Sequence, residues 1–525
     1  MGSQFQPLVV PAFGGGLNFA TNPWALQDDQ WTFCNGFMPL DGAAEQWPTF
    51  APLGSPIGSG GYNPIGLIPD AFLETSLLVG MENGTQLVLI QVDSTSGTPT
   101  TIARAGGTND PKAQADDLLT TGFLNGYQVI AAGMAGVTSN RSSLIRYLGA
   151  ATYDTIDPPS GEQLQPQAIL SFGGHIIAAA CLRSGTSIGN EGRRVAWSAA
   201  NDESLWLPAL SNDADDVQLD DVESRITALF KVGTQGVAVA TRNNVFLLSP
   251  TGRIPAFTRQ TLMPGIGCTL VRATSGLSGR RIGIYGDLPF GGAFVSSDDI
   301  ILVTGSEAAR ISGPVNDYFF SKGKLTTIVA ALLLRPIIYH GAWRQLCVPR
   351  FDHLDGECLT MELGSKAWGR IMLGDFGSSN PMRQAVIRSS TGLRWIWIDG
   401  DRQLFREDYS TGFPNAFVDT KDFTFQGEQA YLDEILVEWE PLVSPTTTIQ
   451  ISSASRDDLN VGFGTLGRDI SPSFTVQGSL TNGASRLGLR NVTRGRFHRL
   501  RFQTTTGRAR IRGFKLFRKA AGRRP

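Results

Sequence analysis

Cys347, His353 and Cys358 lie within twelve residues of one another, with Asp352, Asp355 and Glu357 interleaved. Thiolate, imidazole and carboxylate are the ligand types of zinc, but this spacing matches no tetrahedral knuckle. A charged loop at the edge of a sheet explains the same residues. Asp352, Asp355, Asp399 and Asp401 supply carboxylates that could form the acid and base pair of a glycosidase, whose geometry a sequence does not give. Histidine chemistry has few candidates, since the chain holds only His175, His340, His353 and His498, and His175 sits inside an apolar strand. Neither a phosphate-cradling Gly-x-x-x-x-Gly-Lys nor a His-Glu-x-x-His occurs. The residues therefore indicate neither a catalytic set, nor a resident metal, nor a cofactor, and the chain reads as a non-enzyme.

Charge is placed unevenly along a chain whose 45 Lys and Arg against 47 Asp and Glu give a net charge of -2. Such a balance is unlike that of a protein built to grip nucleic acid. One acidic run holds Asp213, Asp215, Asp216, Asp220, Asp221 and Glu223. It reads as a lining that repels a polyanion from a channel wall, or as a solvated loop or subunit contact. From Arg494 to Arg524 the chain is basic without an acid. Residues two apart on a strand share a face, so Arg508, Arg510 and Arg512 form one stripe over inward Ala509 and Ile511, and Arg499 pairs with Arg501. With Arg523 and Arg524, these arginines are candidates for docking an acidic neighbour, for touching DNA, or for a wet sheet face.

The elements that position these residues are strands. About seven times between residues 77 and 406 an apolar strand, a tight turn and a second apolar strand recur, with starts near 77, 126, 175, 237, 293, 344 and 395. The clearest copy runs Leu77 to Glu82, turns on Asn83-Gly84 and continues from Gln86 to Ile90. Asn-Gly tolerates the positive φ of a type I′ turn. This rhythm predicts an all-β fold, a β-propeller of six to eight blades, against the alternative of hairpins stacked in two sandwiches. Trp395 and Trp397 share a strand face, where they either pack between blades or stack on sugar rings.

Four parts are marked along the chain. Residues 1–60 form an irregular leader with a short helix expected near Asp28 to Trp31, 61–410 the propeller, and 411–426 a polar linker. Residues 427–525 read as a small β-sandwich of their own with a basic tail. The 61 Gly and 28 Pro in 525 residues suit a turn-rich all-β protein. No run of eighteen apolar residues suggests a membrane span, and the first residues lack the pattern of a secretory signal. Five scattered cysteines, an odd number, point to buried free thiols rather than a disulfide framework.

The two ends carry a family resemblance. Gly15-Gly16-Leu17-Asn18, then Asn22-Pro23, Leu26, Asn35-Gly36 and Gly42 to Trp47-Pro48, resemble the opening of a tail-protein family of short-tailed bacteriophages, with Trp47-Pro48-Thr49 where Arg-Pro-Gly is usual. Gly495 to Arg501, Gly513-Phe514 and Gly522-Arg523-Arg524 are similar to its closing phrase. The resemblance implies a tail nozzle of the tail tubular protein B type. It further implies a virion protein assembled in the host cytoplasm into a homo-oligomeric ring, usually a hexamer, beneath portal and adaptor. Double-stranded DNA would pass through it transiently. A host-surface glycan-binding or glycan-cleaving propeller is the alternative.

Overall fold

The computed structural model describes residues 6–21, 25–58, 60–83, 86–106, 113, 118–132, 144–156, 166–181, 191–219, 225–268, 283–305, 307–320, 336–350, 356–373, 381–389, 392–425, 429–443, 446–456, 474–481, 484–489 and 495–520. Within these, strands fold back antiparallel on their predecessors, giving six four-stranded meanders and a seventh sheet of three consecutive strands completed by one from upstream. The first four begin at Tyr62–Pro69, Leu119–Leu124, Ala168–Phe172 and Ile226–Val232, and the last three at Tyr285–Leu288, Ile338–His340 and Pro381–Ser389. Each of these first strands packs beside the next, and the seventh returns to the first, so the meanders form a closed ring. That arrangement is a β-propeller. All seven repeat starts read from the sequence fall in or beside the second strand of a blade.

Alternation along the second strands explains how the blades hold together. In Gly236–Thr241, Val237 and Val239 pack toward the third blade with Ile177 and Trp197, while Ala238 and Ala240 pack toward the fifth with Phe294 and Ile301. Both faces of the strand are covered, which is why the sequence there is continuously apolar. Outermost strands lose this pattern: Glu307–Arg310 is exposed along its whole length.

The seventh blade takes its fourth strand from far upstream. Pro48–Leu53 pairs antiparallel with Leu404–Gly412, so part of the segment read as a leader closes the ring. Phe50 from this strand sits edge-on to Trp395 and Trp397, with ring centroids 5.5 and 6.3 Å away.

The sixth blade does not end at its fourth strand, Trp368–Met372. Its sheet continues through Phe37–Leu40, Ala43–Gln46, Ala509–Ala520 and Ala430–Pro441 to Arg486–Gly488. A second sheet runs Gly16–Leu17, Gln30–Asn35, Phe417–Thr420, Phe497–Thr506, Thr448–Arg456 and Thr475–Thr481. The two sheets meet through Phe13, Phe502 and Phe514, whose ring centroids lie 5.3 to 5.7 Å apart. Leader, linker and C-terminal strands are thus interlaced in one two-sheet body, rather than forming a C-terminal sandwich of its own. The helix expected near Asp28 to Trp31 is instead the start of the strand Gln30–Asn35. Trp31 and Cys34 are fully buried in the core there, and pairing with Phe417–Thr420 overrides the local acidic, cap-like signal.

Phe50→Ala would empty a site 3% exposed at the ring closure. The expected loss is about 3–5 kcal/mol of unfolding free energy in chemical denaturation, with an unchanged fold by circular dichroism.

Candidate functional site

The arginine stripes are engaged inside the molecule. Ala509 and Ile511 are buried as the alternation requires, but the arginines between them face acids of the leader and the neighbouring strand. Arg508 donates to Glu45 at 2.7 Å and to the Gln46 carbonyl at 2.8 Å, and its guanidinium lies 5.0 Å over Trp343. Arg510 reaches Glu45 at 2.9 Å and Glu440 at 3.4 Å, and Arg512 holds Glu440 at 3.1 Å. Arg499 pairs with Asp422 at 2.8 Å. Arg501 grips Asp419 with two bonds of 2.7 and 2.8 Å and lies 4.0 Å over Phe417. These five residues therefore correct the picture of a stripe presented to a neighbour or to DNA. Arg508 and Arg510 tie the C-terminal strand to Glu45 of the leader, and Arg499, Arg501 and Arg512 pair with acids between residues 419 and 440, while Arg523 and Arg524 lie outside the described residues. Burial holds the Glu45 carboxyl above its usual range despite Arg508 and Arg510, and does the same to Asp419 despite Arg501.

A second clamp was not legible in the sequence. Glu357, fully buried on the third strand of the sixth blade, accepts from Arg370 at 2.5 Å, Arg350 at 2.9 Å and Tyr318 at 2.6 Å. Arg350 lies 4.2 Å over Tyr318, and Arg370 lies 4.7 Å over Phe33 of the leader. Burial pushes the Glu357 carboxyl up, but Arg370 and Arg350 outweigh it and bring it down to about 2. The two arginines occupy the oxygens a metal would need. Cys347 and Cys358 are buried free thiols on adjacent strands, out of direct register. His353, Asp352 and Asp355 lie outside the described residues. No group of three or more His, Cys, Asp or Glu is placed to hold a metal among the described residues. Asp399 is buried and accepts from the Gln403 amide, an ordinary turn role.

Trp395 and Trp397 are fully buried, and Trp397 stacks on Phe405 at 4.2 Å. Neither presents a ring face to a sugar. A buried His340 to Glu407 pair of 2.9 Å lies beside them, with Glu407 also accepting from the Trp395 amide at 3.0 Å.

The acidic run divides. Asp215 and Asp216 lie on Asp215–Gln218, the outermost strand of the third blade, with Asp216 bound to Arg194, so they do not line the propeller's own axis. Asp220, Asp221 and Glu223 lie outside the described residues. Asp213 opens into a cleft of about 450 Å³ between the third and fourth blades. Its Oδ1 accepts from the Ala200 amide at 2.8 Å, and its Oδ2 lies 3.7 Å from His175 Nε2. His175 Nδ1 is 2.7 Å from the Ser198 carbonyl, which fixes the ring with Nε2 toward Asp213. Leu210 and Ile254 also line the cleft. Leu210 is fully exposed and Ile254 is 69% exposed. Connecting loops make this cleft, and its only sequence cue is two large apolar residues set among Ser, Asn, Asp, Gly and Pro.

Fold and site together define a β-propeller joined to a two-sheet body, with buried arginine–carboxylate clamps at the junction. The chain is similar to the WD40 domain of Neurospora crassa Pan2, at 13% identity over 69% of this chain and 95% of that one, with a TM-score of 0.40. A structure of YCF48 bound to D1 peptide gives 11%, 68%, 99% and 0.37, and one of a mitotic checkpoint complex gives 10%, 69%, 92% and 0.40. The propeller assignment rests on the strand pairing above. No family model matches the chain, and no curated protein matches it in sequence.

Glu357 gives a signed pH dependence. Its folded-state pKa lies below its unfolded value, so its contribution is full above about pH 4.5 and is lost as pH falls toward about 2. Urea titrations across that window should show the wild type losing stability more steeply than Glu357→Gln. At pH 7 the variant should be about 3–5 kcal/mol less stable, since it breaks a buried pair.

Proposed function

We propose that this chain is a structural virion protein of a bacteriophage tail, forming a ring that continues the DNA channel below portal and adaptor and helps retain and then release the genome. One observation carries the reading. The terminal segments that resemble the tail nozzle family fold against each other, with Ala43–Gln46 paired to Ala509–Ala520 and Arg508 locked on Glu45. Both terminal segments thus extend the sheet of the sixth blade. The charge arrangement agrees. A conduit must let a polyanion slide, and each free cation facing it adds salt-dependent affinity. Here the arginines from Arg499 to Arg512 are neutralised by carboxylates of the same chain.

Cryo-electron microscopy of the purified protein, and of the particle that contains it, tests the proposal. A closed ring with a lumen of about 20 Å or more is the expected result, and a peripheral position without a channel would overturn it. Fluorescence anisotropy with a labelled duplex provides an independent check. Affinity at physiological salt is expected to be no tighter than about 10⁻⁶ M, the nonspecific range, without sequence preference.

A further inference from the structure

Nine large apolar side chains stand exposed among the described residues, and they fall into two groups. In an antiparallel meander the connections from first to second strand and from third to fourth lie at one end of the blade. Leu73, Phe123, Leu148, Leu210 and Ile254 all lie in or beside such connections, on the first four blades. They share one end of the propeller, and the cleft at Asp213 opens there. The other four, Val9, Tyr431, Val443 and Val476, lie on the two-sheet body, where Val9 and Tyr431 flank the exposed Lys515. Val9 pairs with Lys515 from one side and Leu436 from the other, and Tyr431 pairs with Lys519. Val9 is 45% and Tyr431 42% exposed. Lys519 is bound to Asp433 at 2.6 Å, whereas Lys515 is exposed with no ion pair among the described residues.

We propose that the cleft between the third and fourth blades of one copy receives the Val9, Lys515 and Tyr431 face of a second copy. This rests on the ring reading above and names the contact that builds the ring. Leu210 and Ile254 cover Val9 and Tyr431, and the Lys515 ammonium meets Asp213 on the third-blade wall of the cleft, away from Arg253 on the fourth-blade wall. The two patches are different and lie on different parts of the chain, so each copy offers one of each. Such a head-to-tail contact closes into a ring when its rotation permits, whereas a self-complementary patch would stop at a dimer. A specific interface needs about 1,000 Å² or more of buried surface. The cleft alone is too small for that, and Leu73, Phe123 and Leu148 extend the apolar surface across the same end.

Two measurements test this on the full chain. Leu210→Asp combined with Ile254→Asp changes only exposed side chains, so thermal unfolding should match the wild type. Self-association, read by mass photometry and sedimentation, should weaken by about tenfold or more. Leu210→Cys mixed with Tyr431→Cys should give an intermolecular disulfide that neither variant gives alone, against a low background because all five native cysteines are buried. Wild-type rings that persist in the double aspartate variant, with no mixed disulfide, would overturn this contact and leave the ring standing. A wild-type protein that stays monomeric both alone and in its particle would overturn the contact and the ring together.

Discussion

A ring of sheets must be closed by something other than the chain's local order, and here the closure is the pairing of Pro48–Leu53 with Leu404–Gly412. The rest of the architecture depends on it. With the strand in place, Trp47 and Phe50 bury Trp395 from two sides, at 5.8 and 5.5 Å, and the seventh blade gains the fourth strand its neighbours already have. The residues just before it, Phe37–Leu40 and Ala43–Gln46, are then held against the edge of the sixth blade, where they seed the extension of that sheet. Propeller closure and the two-sheet body are consequences of one leader segment running between two blades.

The clamps at this junction are ionic, which is an expensive way to make a core. Glu45 with Arg508 and Glu357 with Arg350 and Arg370 are nearly or wholly removed from water. Burying such pairs gains little net stability over well-packed apolar residues, yet leaving one partner alone is costly. Their effect is selective. Alternative registers of the leader would strand Glu45 and Arg508 without their partners, so this clamp discriminates among registers that hydrophobic packing alone would nearly tolerate.

How much of this was legible follows from the range of the interactions. The blades were readable because a second strand covered on both faces is apolar throughout, as in Val237 to Ala240, and because its turn chemistry is local. Residues two apart share a strand face for the same local reason, and Arg508 and Arg510 both reach Glu45. Their partner is not visible in the sequence, because Glu45 is joined to them only by tertiary pairing. Pro48–Leu53 carries prolines and no β-branched run, so nothing local marks it as a strand. The cleft at Asp213 is built from connections between strands, where periodicity carries no signal at all.

The closing strand is made early and used last. Leu53 pairs with Leu404, about 350 residues further along the chain. At a synthesis rate of about 5–20 residues per second, the segment waits roughly twenty to seventy seconds for its partner on the ribosome. A waiting strand is an open edge, inviting pairing with the wrong sheet or with another nascent chain. Pro48 and Pro52 each withhold an amide from such a pairing, so the residues that make this strand a poor strand by sequence also guard it until the seventh blade arrives.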